Sequence, residues 1–238
     1  MQSLLRLIYP PQCISCDALL AEEMALCGTC WRSTPFISGN VCDACGVPLP
    51  GEYEDQPDLC DDCLTIARPW ASGRAALLYR DNARRIVLAL KHGDRLELAK
   101  PAARWMQSAA APLLESGQVM VPVPAHWSRF LRRRYNQAAL LARELARLTN
   151  ATYLPDALIR TRRTAVHDGM GLDQRFQNMS HAIAPHPKYG GALIGKEVLL
   201  IDDVMTSGAT LAAAAEATFA AGATRVCVLA LARVAKDA

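Results

Sequence analysis

A chain of 238 residues, 51% hydrophobic and 21% charged, has the make-up of a soluble globular protein with one large domain or a small one joined to a medium one. Its net charge of +3 is too small to select a partner, and no apolar run approaches the roughly 20 residues of a membrane helix, so membrane insertion is not expected. The apolar stretch at residues 4–9, "LLRLIY", is too short for a signal-peptide core and lacks a small-residue cleavage site, which makes a cytoplasmic location the default expectation.

Residues 1–67 and 68–238 read as different materials. The first part holds eight of the nine cysteines, with many Pro, Gly and Asp residues and few apolar runs. Four C-x-x-C pairs occur in it: Cys13/Cys16, Cys27/Cys30, Cys42/Cys45 and Cys60/Cys63. Scattered core cysteines do not repeat one spacing four times, a redox dithiol usually stands alone, and a reducing compartment disfavours disulfides. The two-residue spacer forms a knuckle that aims both thiolates at one ion, so two pairs complete one tetrahedral site and eight thiolates imply two structural zinc ions. Sequential pairing would build tandem ribbons, and first-with-third pairing would interleave them; the sequence leans only slightly to the former. A segment so poor in apolar residues cannot bury much core, and metal supplies the missing folding energy.

From residue 68 onward strands alternate with helices. A strand is expected near residues 75–79, a helix over 82–91, and another over 96–115, where Leu98, Ala102, Trp105, Met106 and Ala109 recur at helical spacing. "QVMVPVPAHW" reads as a strand ended by prolines, and "YNQAALLARELARLT" as an amphipathic helix with Ala138, Leu141, Leu145 and Leu148 on one face. "ALIR" is a strand, "TRRTAVHDGMG" a long loop, and residues 172–179 a short helix. "KEVLLI" is the central strand, "ATLAAAAEATFAAG" a helix closed by Gly222, and "RVCVLALARV" the last strand, with Cys227 a small core residue. The alternation predicts an α/β domain with a largely parallel sheet. His126, His167, His181 and His186 show no metal-ligand spacing.

The central strand carries two adjacent acids, Asp202 and Asp203, followed by Thr206, Ser207, Gly208, Ala209 and Thr210. Parallel strands bind ligands at their C-terminal ends, where helix N-termini direct amides at anions. The hydroxyls, the glycine and the free amides of the next helix suit a phosphate, whereas the carboxylates suit neutral hydroxyls or a magnesium shell. No Walker A pattern is present. A sugar phosphate satisfies both halves.

"VLLIDDVMTSGAT" resembles the phosphoribosyl-pyrophosphate (PRPP) loop of type I phosphoribosyltransferases. That resemblance implies ribose hydroxyls on Asp202 and Asp203, the 5-phosphate on residues 206–210, and magnesium bound with PRPP. Together with the cysteine pairs, "LKHGDRLELA", "VPVPAHWSRFLRRRYNQAALLARELA", "RTRRT" and "RFQN", the chain resembles the competence protein F family, also called ComF or GntX-like, over nearly its whole length. Membership implies a double zinc ribbon at 1–67, a type I phosphoribosyltransferase-like parallel sheet with flanking helices at 68–238, and a link to DNA uptake in natural competence and to other competence machinery. By the same resemblance Lys91 is a phosphate contact, although a helix C-terminus favours a lysine in any case. Arg129, Arg132, Arg133 and Arg134 form one basic group, and Arg160, Arg162, Arg163 and Arg175 a second. They would neutralise pyrophosphate, or track single-stranded DNA with Trp127, Phe130 and Tyr135 as stacking platforms, or form a solvated basic face. The acceptor of a transferase reaction is not legible in these residues.

Overall fold

The computed structural model describes residues 10–51, 58–92, 95–125, 135–164 and 171–235. Along the chain come α1 (Gly28–Arg32), α2 (Asp61–Thr65), β1 (Gly73–Leu78), α3 (Asp81–His92), α4 (Ala99–Ala110), β2 (Val119–Pro122), α5 (Gln137–Thr149), β3 (Thr152–Tyr153) and β4 (Leu158–Arg160). There follow α6 (Leu172–Met179), β5 (Ile183–Pro185), β6 (Glu197–Met205), α7 (Ala209–Ala220) and β7 (Arg225–Arg233). Five strands form one parallel sheet in the order β1-β7-β6-β2-β3. No described helix is long and apolar enough to cross a membrane.

Burial on both faces explains the near-continuous apolar runs of β6 and β7. Val198 and Leu200 point into a core shared with α7, while Leu199 and Ile201 point into the core under α3, α4 and α5. The helix α7 is buried almost all round, with Leu211 to Ala215, Ala217 and Thr218 all inside. Its alanines let the sheet and the β4–β5 pair approach it closely from different sides, so it lacks the single apolar stripe of a surface helix.

Several elements depart from the expectations. The helix predicted over 96–115 divides into a 3₁₀ turn (Leu96–Leu98), α4 and a second 3₁₀ turn (Ala111–Leu113), because Pro112 cannot donate an N–H to extend the α-helix. The strand at "ALIR" lies outside the main sheet and pairs antiparallel with β5. The two-residue strand β3, which follows the left-handed cap Asn150 (φ 54°), is too short to show a period of its own. The central strand runs through both acids and ends at Met205, so Asp202 and Asp203 lie within it and not at its exit.

The N-terminal segment borrows its core from the rest of the molecule. Each ribbon half closes a tight loop on a bridge, Gln12 with Leu19 and Val41 with Pro48. Between them, Phe36 bridges Leu77, Ile37 N–H donates to Ala76 O at 2.9 Å, and Leu78 N–H donates to Pro35 O at 2.9 Å. That pairing covers the outer edge of β1, which would otherwise present free backbone groups. Asn82 Nδ2 donates to Thr34 Oγ1 at 2.8 Å and to Cys30 O at 3.3 Å. Phe36 stacks between Trp31 (4.4 Å between ring centres) and Trp105 of α4 (5.4 Å). Cys42, Cys45 and Cys63 are buried in the same core as α7.

Candidate functional site

Two groups of four cysteines converge, Cys13/Cys16/Cys27/Cys30 and Cys42/Cys45/Cys60/Cys63, and within each group all sulfurs lie within 4.8 Å of one another. The pairing is therefore sequential. Around a tetrahedral zinc with bonds of about 2.3 Å, neighbouring sulfurs stand about 3.8 Å apart; Cys16 and Cys27 are 3.7 Å apart here, as are Cys45 and Cys60. Burial, followed by the crowding of Cys16, Cys27 and Cys13, pushes the Cys30 thiol up to about 12. Burial also drives Cys60 up to about 11, with Cys45 and Cys42 adding to it. A cation among the sulfurs would let all four of a group ionise together, and the spacing of both groups suits a tetrahedral divalent ion.

The second candidate site is built at the end of β6. Toward β7 the strand stays paired as far as Met205 with Arg233, whereas toward β2 the pairing stops at Ile201 with Pro122, followed by Val123 N–H to Ile201 O at 2.9 Å. At Asp202 and Asp203 the backbone of β6 is thus unpaired toward β2 while remaining anchored to β7 on the other side. Pleat alternation from Leu199 and Ile201 carries Asp203 toward α3. There Lys91 Nζ, on the last turn of α3, stands 3.1 Å from Asp203 Oδ1. The end of α3 is held by side chains that donate to its orphan carbonyls: Tyr135 Oη donates to Leu90 O at 2.9 Å, and Gln137 Nε2 to Lys91 O at 3.4 Å. Tyr135 therefore has a structural bond through its hydroxyl. Beyond Met205 the chain turns at Gly208, whose φ of 84° is left-handed, a conformation that favours glycine. Ala209 N–H, the first of α7, donates to Ser207 Oγ at 3.4 Å.

On the other side of β2, Pro122 and Pro124 have no N–H to offer β3, and Val123 spends its own on β6. The two strands part, and a cavity of about 530 Å³ opens there, walled by Pro124, Tyr135, Arg143, Tyr153, Asp156 and Arg160 among others. Arg160 is fixed by Nη2 bonds to Thr164 Oγ1 (2.5 Å) and Met179 Sδ (3.2 Å). Its charge favours the ionised form of Asp202, and it also lines the cavity.

Of the basic residues singled out above, Arg162 Nη2 donates to Asn178 O and Ser180 O, each at 2.9 Å, which makes it a brace between β4 and α6. Arg163 is exposed. Arg129, Arg132, Arg133 and Arg134 lie outside the described residues, as do His126, Trp127, Phe130 and His167. Two residues that sequence reasoning passed over approach the loop from behind. Arg68 Nη1 donates to Ser207 O at 2.7 Å, and Arg233 Nη1 to Thr206 O at 2.5 Å. The signal for Arg233 was an arginine closing the most apolar strand of the chain, where it is 4% exposed.

The enclosure of Asp202, then the charge of Asp203, raise the Asp202 carboxyl from 3.8 to about 7, against the opposing pull of Lys91 and Arg160. A carboxyl raised in the folded state opposes folding only once it ionises. Its cost is absent below about pH 4, grows up to about pH 7, and is constant above. Without ligand, Asp202→Asn is therefore expected to melt a few degrees above the wild type at pH 8, with the gap shrinking at pH 5. Paired thermal melts check this, and a gap independent of pH would contradict it.

Residues 4–64 match the double zinc ribbon domain family. Over 233 residues the chain is 28% identical to the DNA utilization protein YhgH of Escherichia coli K12, covering 95% of this chain and 99% of that protein. Competence protein F of Haemophilus influenzae Rd is 27% identical over 206 residues, 84% of this chain and 87% of that protein. Among solved structures, one described as the allosteric regulatory enzyme of purine biosynthesis matches 60% of this chain and 30% of its own, with a TM-score of 0.39 and 19% identity. A hypoxanthine phosphoribosyltransferase from Staphylococcus aureus matches 60% of this chain and 70% of its own, with a TM-score of 0.35 and 12% identity.

Proposed function

We propose that this chain, homologous over nearly all of its length to proteins named for DNA utilization and competence, is a phosphoribosyltransferase-type protein that binds PRPP with magnesium and serves the uptake or use of external DNA. One observation carries the reading: β6 carries two adjacent carboxylates past the point where its pairing with β2 ends, and the chain then turns at a left-handed glycine into the N-terminus of α7. Carboxylates accept hydrogen bonds from vicinal hydroxyls, and a turn of amides and hydroxyls receives a phosphate. A ribose 5-phosphate presents both groups at once.

In this reading Asp202 and Asp203 hold the ribose hydroxyls, and Thr206, Ser207, Gly208, Ala209 and Thr210 hold the 5-phosphate. Lys91, already 3.1 Å from Asp203, supplies positive charge beside the anionic sugar. Magnesium, bound with PRPP, would neutralise the pyrophosphate, and two carboxylates with substrate phosphates are a usual setting for that ion. Arg163 and the group Arg129, Arg132, Arg133 and Arg134 are the candidates for stabilising the departing pyrophosphate, whose charge grows as the bond to the sugar breaks. The cavity beside β2 offers room for the acceptor. Its two tyrosines and two prolines suit a flat ring, and Arg160 joins it to the acid pair.

The names of the relatives favour a second use of the same cations, as a track for single-stranded DNA. Calorimetry with PRPP, magnesium and an oligonucleotide tests both. Saturable, magnesium-dependent PRPP binding is expected, and an absence of heat at millimolar PRPP would overturn the reading. If the arginines serve pyrophosphate, the oligonucleotide leaves PRPP affinity unchanged. If they serve DNA, it binds without PRPP, with an affinity that falls steeply with salt. Pyrophosphate release that starts only when the oligonucleotide is added would mark DNA as the acceptor.

A further inference from the structure

Two arginines distant in sequence each grip the second cysteine centre with one part of the guanidinium and the ligand loop with another. Arg68 donates Nε–H to Cys63 Sγ at 3.4 Å and Nη1–H to Ser207 O at 2.7 Å. Arg233 places Nη2 3.8 Å from Cys45 Sγ, and its Nη1 donates to Thr206 O at 2.5 Å and to Met205 O at 3.3 Å. Trp70 completes the contact: its ring lies 5.6 Å from the Arg68 guanidinium, and its Nε1 donates at 2.6 Å to the carbonyl of Ala44, between two cysteines of the centre. The fit against the loop is tight, since a Cβ on Gly208 would stand 2.8 Å from Arg68 Nη1 and 3.3 Å from the Trp70 ring. The first cysteine centre has no such link among the described residues. Ser15 beside it and its own Cys30 are engaged by Asn82 and Arg85 of α3.

We propose that the second cysteine centre supports the ligand loop, with Arg68 and Arg233 as positioning residues, so that loss of metal from Cys42, Cys45, Cys60 and Cys63 switches ligand binding off. The proposal rests on the PRPP reading for the identity of the ligand, but not for the coupling itself. Four thiolates around a divalent ion form a dianion, and a buried dianion holds cations beside it. Metal-bound sulfurs also accept N–H bonds from the groups around them. The guanidinium is a rigid plane, so fixing one edge on sulfur fixes where the other edge points. In a trans peptide the carbonyl and the following N–H point in opposite directions. Drawing the Thr206 and Ser207 carbonyls toward the cysteine centre therefore turns the N–H groups of Ser207 and Gly208 away from it, into the loop that would receive the phosphate. Loss of the metal removes the dianion and lets the arginines, and then the two peptide planes, move.

The test uses the full chain and four measurements: zinc per chain, far-UV circular dichroism, amide hydrogen exchange of residues 206–210, and PRPP affinity with magnesium. Arg68→Ala is expected to keep both metals, to speed loop exchange, and to weaken PRPP about 10-fold or more, in the range known for groups that brace metal ligands. Arg68→Lys should recover part of the protection, because its ammonium reaches the Ser207 carbonyl but not the sulfur as well. Cys60→Ser should lose metal from the second centre and speed loop exchange, whereas Cys16→Ser should lose metal from the first and leave loop exchange as it was. Unchanged loop exchange in both Arg68→Ala and Cys60→Ser would overturn the coupling, as would equal acceleration by Cys16→Ser. Should Cys60→Ser unfold the chain, Arg68→Ala decides alone. Should the wild type fail to bind PRPP, the ligand reading falls, and exchange at the loop still decides whether the centre supports it.

Discussion

Asp202→Asn combined with Asp203→Asn is expected to weaken PRPP binding by about a hundredfold to ten-thousandfold. Each carboxylate would hold a hydroxyl by a charge-assisted bond of about 1.5–3 kcal/mol, so the pair represents about 3–6 kcal/mol. The fold should survive. Asparagine keeps the shape of both side chains and can still accept the Asp203 N–H to Asp202 Oδ1 bond of 2.9 Å. The ion pair given up with Lys91 involves side chains 20% and 15% exposed, and Lys91 can turn to water. Calorimetry with magnesium measures the loss, and circular dichroism separates it from unfolding. Unchanged affinity in a folded variant would show that the acids do not meet the sugar.

Removal of both metals is the second large effect. Structural zinc in small ribbons is associated with about 10–16 kcal/mol of apparent binding energy, as much as the whole stability of a typical domain. The composition of residues 1–67 alone predicts that a chelator unfolds that segment and leaves the remainder intact. The structure predicts a different course. Phe36 and Ile37 cover the outer edge of β1, and Cys42, Cys45 and Cys63 line the core that buries α7. Stripping the metals would expose a strand edge and part of an apolar core together. The α/β part is therefore expected to melt at least 10 °C lower after chelation, by the scale of about 2–4 °C per kcal/mol for a chain of this size, and to bind a hydrophobic dye. Differential scanning calorimetry before and after chelation checks it. A late transition unmoved by the chelator would mean that the two parts are independent.

Much of this architecture is legible before folding is considered. The strand and helix alternation from residue 68 onward follows from burial on two faces of a parallel sheet, which leaves long apolar runs where β6 and β7 form. The short helix α6 occupies residues 172–179, as its pattern indicates. The strands β3 and β5 escaped notice because two or three residues cannot show a period of two, and β5 ends in a proline. The assignment of "ALIR" to a strand holds, but no local feature says that its partner is β5 rather than the main sheet.

At the site, the sequence by itself determined which residues are candidates for the chemistry. Eight cysteines at one repeated spacing define metal ligands, because a two-residue knuckle is a local geometry. Two acids followed by a hydroxyl-rich turn define a candidate sugar-phosphate loop for the same reason, since strand, turn and helix start are neighbours in the chain. The tertiary structure alone decided how the cysteine pairs combine, that Lys91 reaches Asp203, and that Arg68 and Arg233 join the second cysteine centre to the loop. Ser207 and Arg68 stand 139 residues apart in the chain. A contact over such a span leaves no local spacing to read, because it exists only once the sheet has formed and the second cysteine centre has packed against the end of β6.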